Sequence, residues 1–185
     1  KMLYDNAQLV DAYLIAQSIK AYPNDSDFYV RVAREICEYV LRQMTDVTGT
    51  FWSAQDAEVN AREGGSYVWL PDQVKAAVRN EELAKLASVM YGLDQGINFR
   101  DPHHPDERAN VLYLPRRLDE LAKVRKQSLG SLLEAKSKID QAMLAVRDQR
   151  EQPITDDKVL VSWNGMMIGA MARAGRLLNE SRYLE

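Results

Sequence analysis

Cysteine is nearly absent from this 185-residue chain: Cys37 stands alone, so no disulfide can close within it. A lone cysteine in an apolar helical pattern fits a reducing compartment, and a cytoplasmic location is expected. Histidine is almost as scarce, with only His103 and His104, adjacent in "DPHHPDE". Neighbours in a proline-bounded loop do not flank a substrate as the two bases of a carbon epimerase must. With Asp101 they match no metal-ligand spacing of strength, and no metal is expected. No apolar run approaches the ~20 residues needed to span a bilayer, and no signal peptide is visible. Basic surplus is missing too: 24 Lys and Arg face 27 Asp and Glu, a net charge of −3, which argues against nucleic-acid and anionic-membrane partners. Neither a glycine-rich phosphate loop nor a nucleophile elbow occurs, so no cofactor is expected.

What remains is ordinary globular composition, 46% hydrophobic and 28% charged, with a mean hydropathy of −0.40. It is enough for one domain with a sizeable core. Residues 2–22 carry two apolar stripes at helical spacing, Leu3/Ala7/Val10/Leu14 and Leu9/Tyr13/Ala16/Ile19, so a helix buried on more than one side is expected. A polar turn from Pro23 leads to a second helix, 28–44, with a stripe of Val32, Ile36, Tyr39 and Val40. Phe51-Trp52 and the run from Tyr67 to Leu70 suit short strands. Pro71 fits the first position of a helix, and Asn80 caps another over 81–91. Residues 92–114 form the longest irregular stretch, and long loops are often functional. Helices are expected again over 118–124 and 129–150, the latter with Leu132, Ile139, Met143 and Val146 inward and Pro153 as its stop.

Residues 4–19 and 162–177 echo each other without a gap, at an offset of 158. Asn6 aligns with Asn164, Leu9 with Met167, Ala12 with Ala170 and Ala16 with Ala174. A repeated helix with a similar entry and turn points to an array of helical hairpins, whose neighbours cover each other's apolar stripes. Both ends of the chain read as cut from a longer protein.

The stretches "KMLYDNAQL" (1–9), "FWSAQDAE" (51–58), "EGGSYVW" (63–69), "NVL" (110–112) and "DDKVLVSWNGMMIGAMARA" (156–174) resemble the YyaL-type family of thioredoxin-domain-containing proteins, which includes spermatogenesis-associated members. The resemblance implies an all-α fold: part of an (α/α)6 toroid of helical hairpins, similar to six-hairpin glycosidases and N-acylglucosamine epimerases, with a few short strands in loops. It implies that residues 1–185 form a single segment of that barrel, with a thioredoxin-like domain upstream and the other hairpins outside this chain. Four positions depart from the family pattern. Gln55 stands where a Glu is usual, Glu58 where an Asp is usual, Arg108 where a Gly is usual, and Leu70 where a Thr caps the following helix.

In such an array the starts of inner helices face one mouth, which brings Asp5-Asn6 and Trp163-Asn164 to equivalent places. Sugar rings suit that mixture, because their C–H faces stack on aromatics and their hydroxyls need donors and acceptors. A carbohydrate-binding or carbohydrate-processing role is therefore expected, glycosidase- or epimerase-like, with a sugar as ligand. The catalytic candidates are Asp5, Asp56 and Asp157, since glycoside hydrolysis works through paired carboxyls. Asn6, Trp52, Glu63, Tyr67, Trp69, Trp163 and Asn164 are the candidate substrate contacts. Each has a plainer reading: Asp5 and Asn6 as helix caps, Trp163 as a plug, Asp156-Asp157-Lys158 as a solvated turn with an ion pair, and Glu63-Gly64-Gly65 as a turn. The alternative function is a non-catalytic scaffold or protein-interaction domain serving the redox domain, with Gln55 and the absence of a credible histidine pair as its motives. Apolar helix faces left open by an incomplete ring are expected to be covered by a dimer partner or by the missing segments.

Overall fold

The computed structural model describes residues 1–19 and 26–185. Its described residues are mostly helical: α1 (Leu3–Ser18), α2 (Ser26–Gln43), α3 (Pro71–Val78), α4 (Glu81–Met90), α5 (Leu118–Val124), α6 (Leu129–Arg147) and α7 (Val161–Leu178). Six two-residue strands pair in the connections: β1 (Ala54–Gln55) with β6 (Thr155–Asp156), β2 (Glu58–Val59) with β3 (Arg62–Glu63), and β4 (Phe99–Arg100) with β5 (Arg108–Ala109), all antiparallel. The expected end of the first helix at Tyr22 and the turn begun by Pro23 lie outside the described residues. The chain gathers into two compact units. Unit 1 joins Lys1–Asp56 to Ile154–Glu185, and unit 2 is Ala57–Pro153.

In unit 1, α1 lies between α2 and α7. Tyr4 meets Trp163 edge-on with centroids 4.7 Å apart, and the Asp11 carboxylate accepts from Arg173 at 2.7 and 2.6 Å. Contacts between the first turns and again further along mean that α1 and α7 run parallel from one end. On the other flank Tyr13 packs against Phe28 and Tyr29 of α2. These two neighbours bury only the first apolar stripe of α1, Leu3, Ala7, Val10 and Leu14; Leu9 and Ile19 of the second stripe are exposed. The stripe expected inward on α2 is also rotated. Ala33, Cys37, Val40 and Met44 are fully buried, while Val32, Ile36 and Tyr39 border a shallow groove. Burial, with Glu38 adding to it, pushes the Cys37 thiol up to about 12, so it packs rather than reacts.

Neither Asp5 nor Asn6 caps α1. Met2 holds the cap position, the Leu3 N–H donates to the Ser53 carbonyl at 2.8 Å, and Asn6 Nδ2 donates back to the Met2 carbonyl at 2.7 Å. The arc that α1 buries corresponds, 158 residues on, to an open arc of α7. Leu3 and Val10 are 0% exposed, whereas Val161 is 87% and Ile168 60% exposed.

In unit 2, Pro71 opens α3 at its first position, and the Asn80 side chain accepts from the Leu83 N–H at 2.9 Å to cap α4. The core joins Val74, Leu86 and Met90 to Leu121, Leu132, Ile139 and Met143. α6 ends at Arg147, short of the expected 150, because Gln152 Nε2 donates to the Arg147 carbonyl at 2.9 Å and closes the terminus before Pro153. The runs expected as strands contribute only single bridges, Phe51 with Thr45 and Trp69 with Asn110.

Candidate functional site

A cleft of about 380 Å³ opens in unit 2, and two hairpins build it. The β2–β3 hairpin turns on Asn60 and Ala61, both left-handed at φ 53° and 56°. Two consecutive positive φ values make the tight turn whose twist matches its strands, and they set Arg62 and Glu63 at the cleft wall. Alanine in that conformation carries strain of roughly 1 kcal/mol. The irregular stretch after residue 92 supplies the second hairpin, β4–β5, with Phe99 opposite Ala109 and Arg100 opposite Arg108.

Asp101 ties the two together. One of its oxygens accepts from the Glu63 N–H at 3.1 Å and the other from the His103 N–H at 2.8 Å. Burial works to raise its pKa, but backbone N–H donors from His103, Glu63 and His104 outweigh it and hold the carboxyl below the usual range. Asp101 is thus an ionised acceptor, unsuited to act as an acid. Arg62 grips Glu107 through Nε at 2.9 Å and an amino nitrogen at 2.8 Å, which lowers the Glu107 pKa. Arg150 closes the cleft from below: one amino nitrogen donates to the Ser66 carbonyl at 3.2 Å and to the Val68 carbonyl at 2.9 Å, while its guanidinium lies 3.8 Å from the Trp69 ring centre.

Once these pairs are satisfied, two charged side chains in the cleft remain without a hydrogen-bond or ion-pair partner among the described residues: Glu63 and Arg108. Phe99, Val59 and Leu70 give the same walls apolar surface. The cleft therefore combines an open carboxylate, an open guanidinium and an aromatic.

Of the sequence candidates, Glu63 lines this cleft. Trp69 is buried with Arg150 across one face, and Tyr67 is half-buried with the Arg147 guanidinium 5.5 Å from its ring centre. The other candidates belong to unit 1. Asp5, Asp56 and Asp157 are exposed, and Trp52 is half-buried. Asn6 borders a groove of about 270 Å³ with Lys1, Glu35 and Tyr39. Asn164 is committed elsewhere: its Oδ1 accepts from the Phe51 N–H at 2.9 Å, and its Nδ2 donates to the carbonyls of Phe51 at 2.9 Å and Leu160 at 3.2 Å. Both amide protons are spent, and Asn164 acts as a strand edge for Phe51. Trp163, half-buried on Tyr4, packs beside it.

Asp156 pairs with Lys158 at 3.0 Å, the ion pair of the plainer reading. Gln55 is buried, and its Oε1 accepts from the Tyr39 hydroxyl at 2.9 Å. His103 meets Glu58 at 3.4 Å, and no cluster of three His, Cys, Asp or Glu able to hold a metal occurs among the described residues. The substrate contacts expected from sequence did not include Arg62, Asp101, Glu107, Arg108 or Arg150, which line the cleft. The alternation of opposite charges in "EVNARE" and "RDPHHPDER" was the available signal.

No family model matches the chain. Human spermatogenesis-associated protein 20 is 31% identical over 205 aligned positions that take in 100% of this chain and 25% of the relative. The mouse protein of the same name is 32% identical, over 96% of this chain and 24% of the relative. An uncharacterized Caenorhabditis elegans protein is 26% identical, over 100% of this chain and 27% of its own length. The chain thus spans about a quarter of the length of the curated relatives it matches. These matches support the spermatogenesis-associated family that the motifs resemble.

Proposed function

We propose that this chain is part of a carbohydrate-binding helical protein and that the unit 2 cleft holds the sugar. One observation carries the reading: Glu63 presents an open carboxylate beside Phe99 and other apolar wall residues. A carboxylate accepts hydroxyl donors, and an aromatic or aliphatic wall takes the C–H face of a ring. Three guanidinium and four carboxylate side chains line the cleft, so its own balance is close to neutral and favours a hydroxyl-rich ligand over a bare polyanion. The test is a calorimetric or NMR titration of a mono- and oligosaccharide panel against the full-length protein. Glu63→Ala is expected to weaken binding about ten-fold, the loss of one or two charged hydrogen bonds, while Asp5→Ala leaves it unchanged. No binding by any sugar, or binding indifferent to Glu63, would remove the proposal.

The helical part of the proposal is a toroid, and the open arc of α7 supports it. That arc repeats the one α1 buries, as an array needs when a further hairpin follows. In the full-length protein Ile168→Ser is then expected to lower stability by about 1–3 kcal/mol. A change within about 0.5 kcal/mol in denaturant unfolding, ordinary for a surface site, leaves the arc in water and rules out the next hairpin there.

A second, non-catalytic reading rests on Gln55. An amide held by a tyrosine hydroxyl cannot exchange a proton at neutral pH, so if a Glu there served catalysis in relatives, unit 1 of this chain keeps only the scaffold.

A further inference from the structure

We infer that the unit 2 cleft selects an anionic sugar, a hydroxylated ring carrying a carboxylate or phosphate, and that Arg108 is the residue that selects it. The inference rests on the carbohydrate reading of the same cleft. Two of the three cleft arginines are spoken for, Arg62 by the Glu107 carboxylate and Arg150 by two backbone carbonyls and the Trp69 ring. Arg108 has no such partner among the described residues.

A second observation points the same way. Arg100 stands directly opposite Arg108 across the β4–β5 pair and is likewise without a partner among the described residues. Directly opposed residues on adjacent antiparallel strands lie about 5 Å apart at Cβ and share a face, and like charges so placed repel. A hairpin two residues deep on each side carries that repulsion poorly, and an anion at Arg108 relieves it. Arginine suits the task, since its planar fork matches the two oxygens of a carboxylate or phosphate. Glu63 would turn the anion away from its own side of the cleft and accept ring hydroxyls instead. This fixes a direction for the ligand, with its charged substituent at β5 and its hydroxyls at β3.

The test titrates the full-length protein with glucose, glucuronate and glucose 6-phosphate, at low and high salt, before and after Arg108→Gln and Arg108→Gly. At least one anionic sugar is expected to bind about ten-fold tighter than glucose, with the margin shrinking in salt. Both substitutions are expected to erase that margin, and Arg108→Gln, which removes the charge facing Arg100, is not expected to lower the thermal midpoint. Which of glucuronate and glucose 6-phosphate wins identifies the anion. Equal binding of glucose and both anions, or a margin that survives the loss of Arg108, overturns the inference and leaves the carbohydrate reading standing. Failure of all three sugars, together with a blank neutral panel, overturns both.

Discussion

Asn164→Ala is expected to destabilise unit 1 by about 2–4 kcal/mol, the largest effect of any single polar substitution in that unit. The magnitude comes from what stays behind. The turn over residues 46–50 is fixed by Asp46, whose carboxylate accepts from the Thr48 and Thr50 amides at 2.7 and 3.0 Å and from both hydroxyls at 2.7 Å. Hydrogen bonds from Thr48 and Thr50 bring the Asp46 pKa down to about 2, and Gly49 supplies the left-handed residue, at φ 88°, that the turn requires. The chain then enters Phe51 in extended form, buried, with its N–H and carbonyl both turned to the Asn164 amide. Alanine leaves that donor and acceptor in a dry site with no replacement. Asn164→Asp keeps the acceptor for the Phe51 N–H but sets an anion against two carbonyl oxygens. Its deficit is expected to be as large at pH 7 and to shrink as pH falls and the introduced carboxyl takes up a proton, because protonation removes the repulsion and restores one donor. Chemical denaturation at pH 7 and pH 4 measures both. A loss under about 1 kcal/mol for Asn164→Ala would mean that water reaches Phe51 and that the amide was available to a ligand after all.

That outcome also bears on how far sequence reasoning reaches. Helix limits were legible wherever a residue punctuates the backbone by itself. Pro71 opens α3 and Asn80 caps α4, and α5 occupies the expected residues 118–124. Burial was less legible. Two stripes on α1 look alike by periodicity, and only the flanking positions of α2 and α7 decide that Leu3, Ala7, Val10 and Leu14 go in. Asn164 was visible as an unusual residue at a helix start, but its partner Phe51 lies 113 positions away, and nothing local predicts that pairing.

The cleft was hidden for a different reason. Asn60-Ala61 lacks the glycine that normally announces a two-residue hairpin turn, so residues 53–65 read as a polar loop. The seven residues between β4 and β5, with two prolines, disguised the second hairpin in the same way. Glu63 was singled out as a carboxylate beside aromatic residues, whereas Arg62 and Arg150 stand in no motif. Their roles appear only when Arg62 finds Glu107, 45 positions on, and Arg150 finds Val68, 82 positions back.

Arg150→Ala is the counterpart in unit 2 and is expected to lower its stability by about 2–4 kcal/mol, or on the order of 10 °C in Tm. Two charge-assisted hydrogen bonds to the Ser66 and Val68 carbonyls disappear, and one face of the buried Trp69 ring loses its cover. Burial and the neighbouring Arg147 both lower the Arg150 pKa, a sign that its charge is held at some expense; an arginine nonetheless stays protonated, so the carbonyls keep a cation at any accessible pH. The segment it holds leads directly into the bridge where the Trp69 and Asn110 backbones exchange hydrogen bonds at 2.9 and 2.8 Å. Asn110 Nδ2 in turn reaches the Gly96 carbonyl at 2.6 Å, so slack at residues 66–69 passes to the stretch that carries β4 and β5. Binding in the proposed sugar cleft should therefore fall with stability in Arg150→Ala, whereas the proposed effect of Arg108→Gln is on which sugar binds. Arg150→Met separates the two contributions, since it keeps apolar cover over Trp69 and loses only the hydrogen bonds. It is expected to recover less than half of the deficit, because each of the two charged hydrogen bonds it loses contributes about 1.5–3 kcal/mol. Full recovery by methionine, read from thermal unfolding and Trp emission together, would show that the stacking rather than the carbonyl contacts holds the cleft floor.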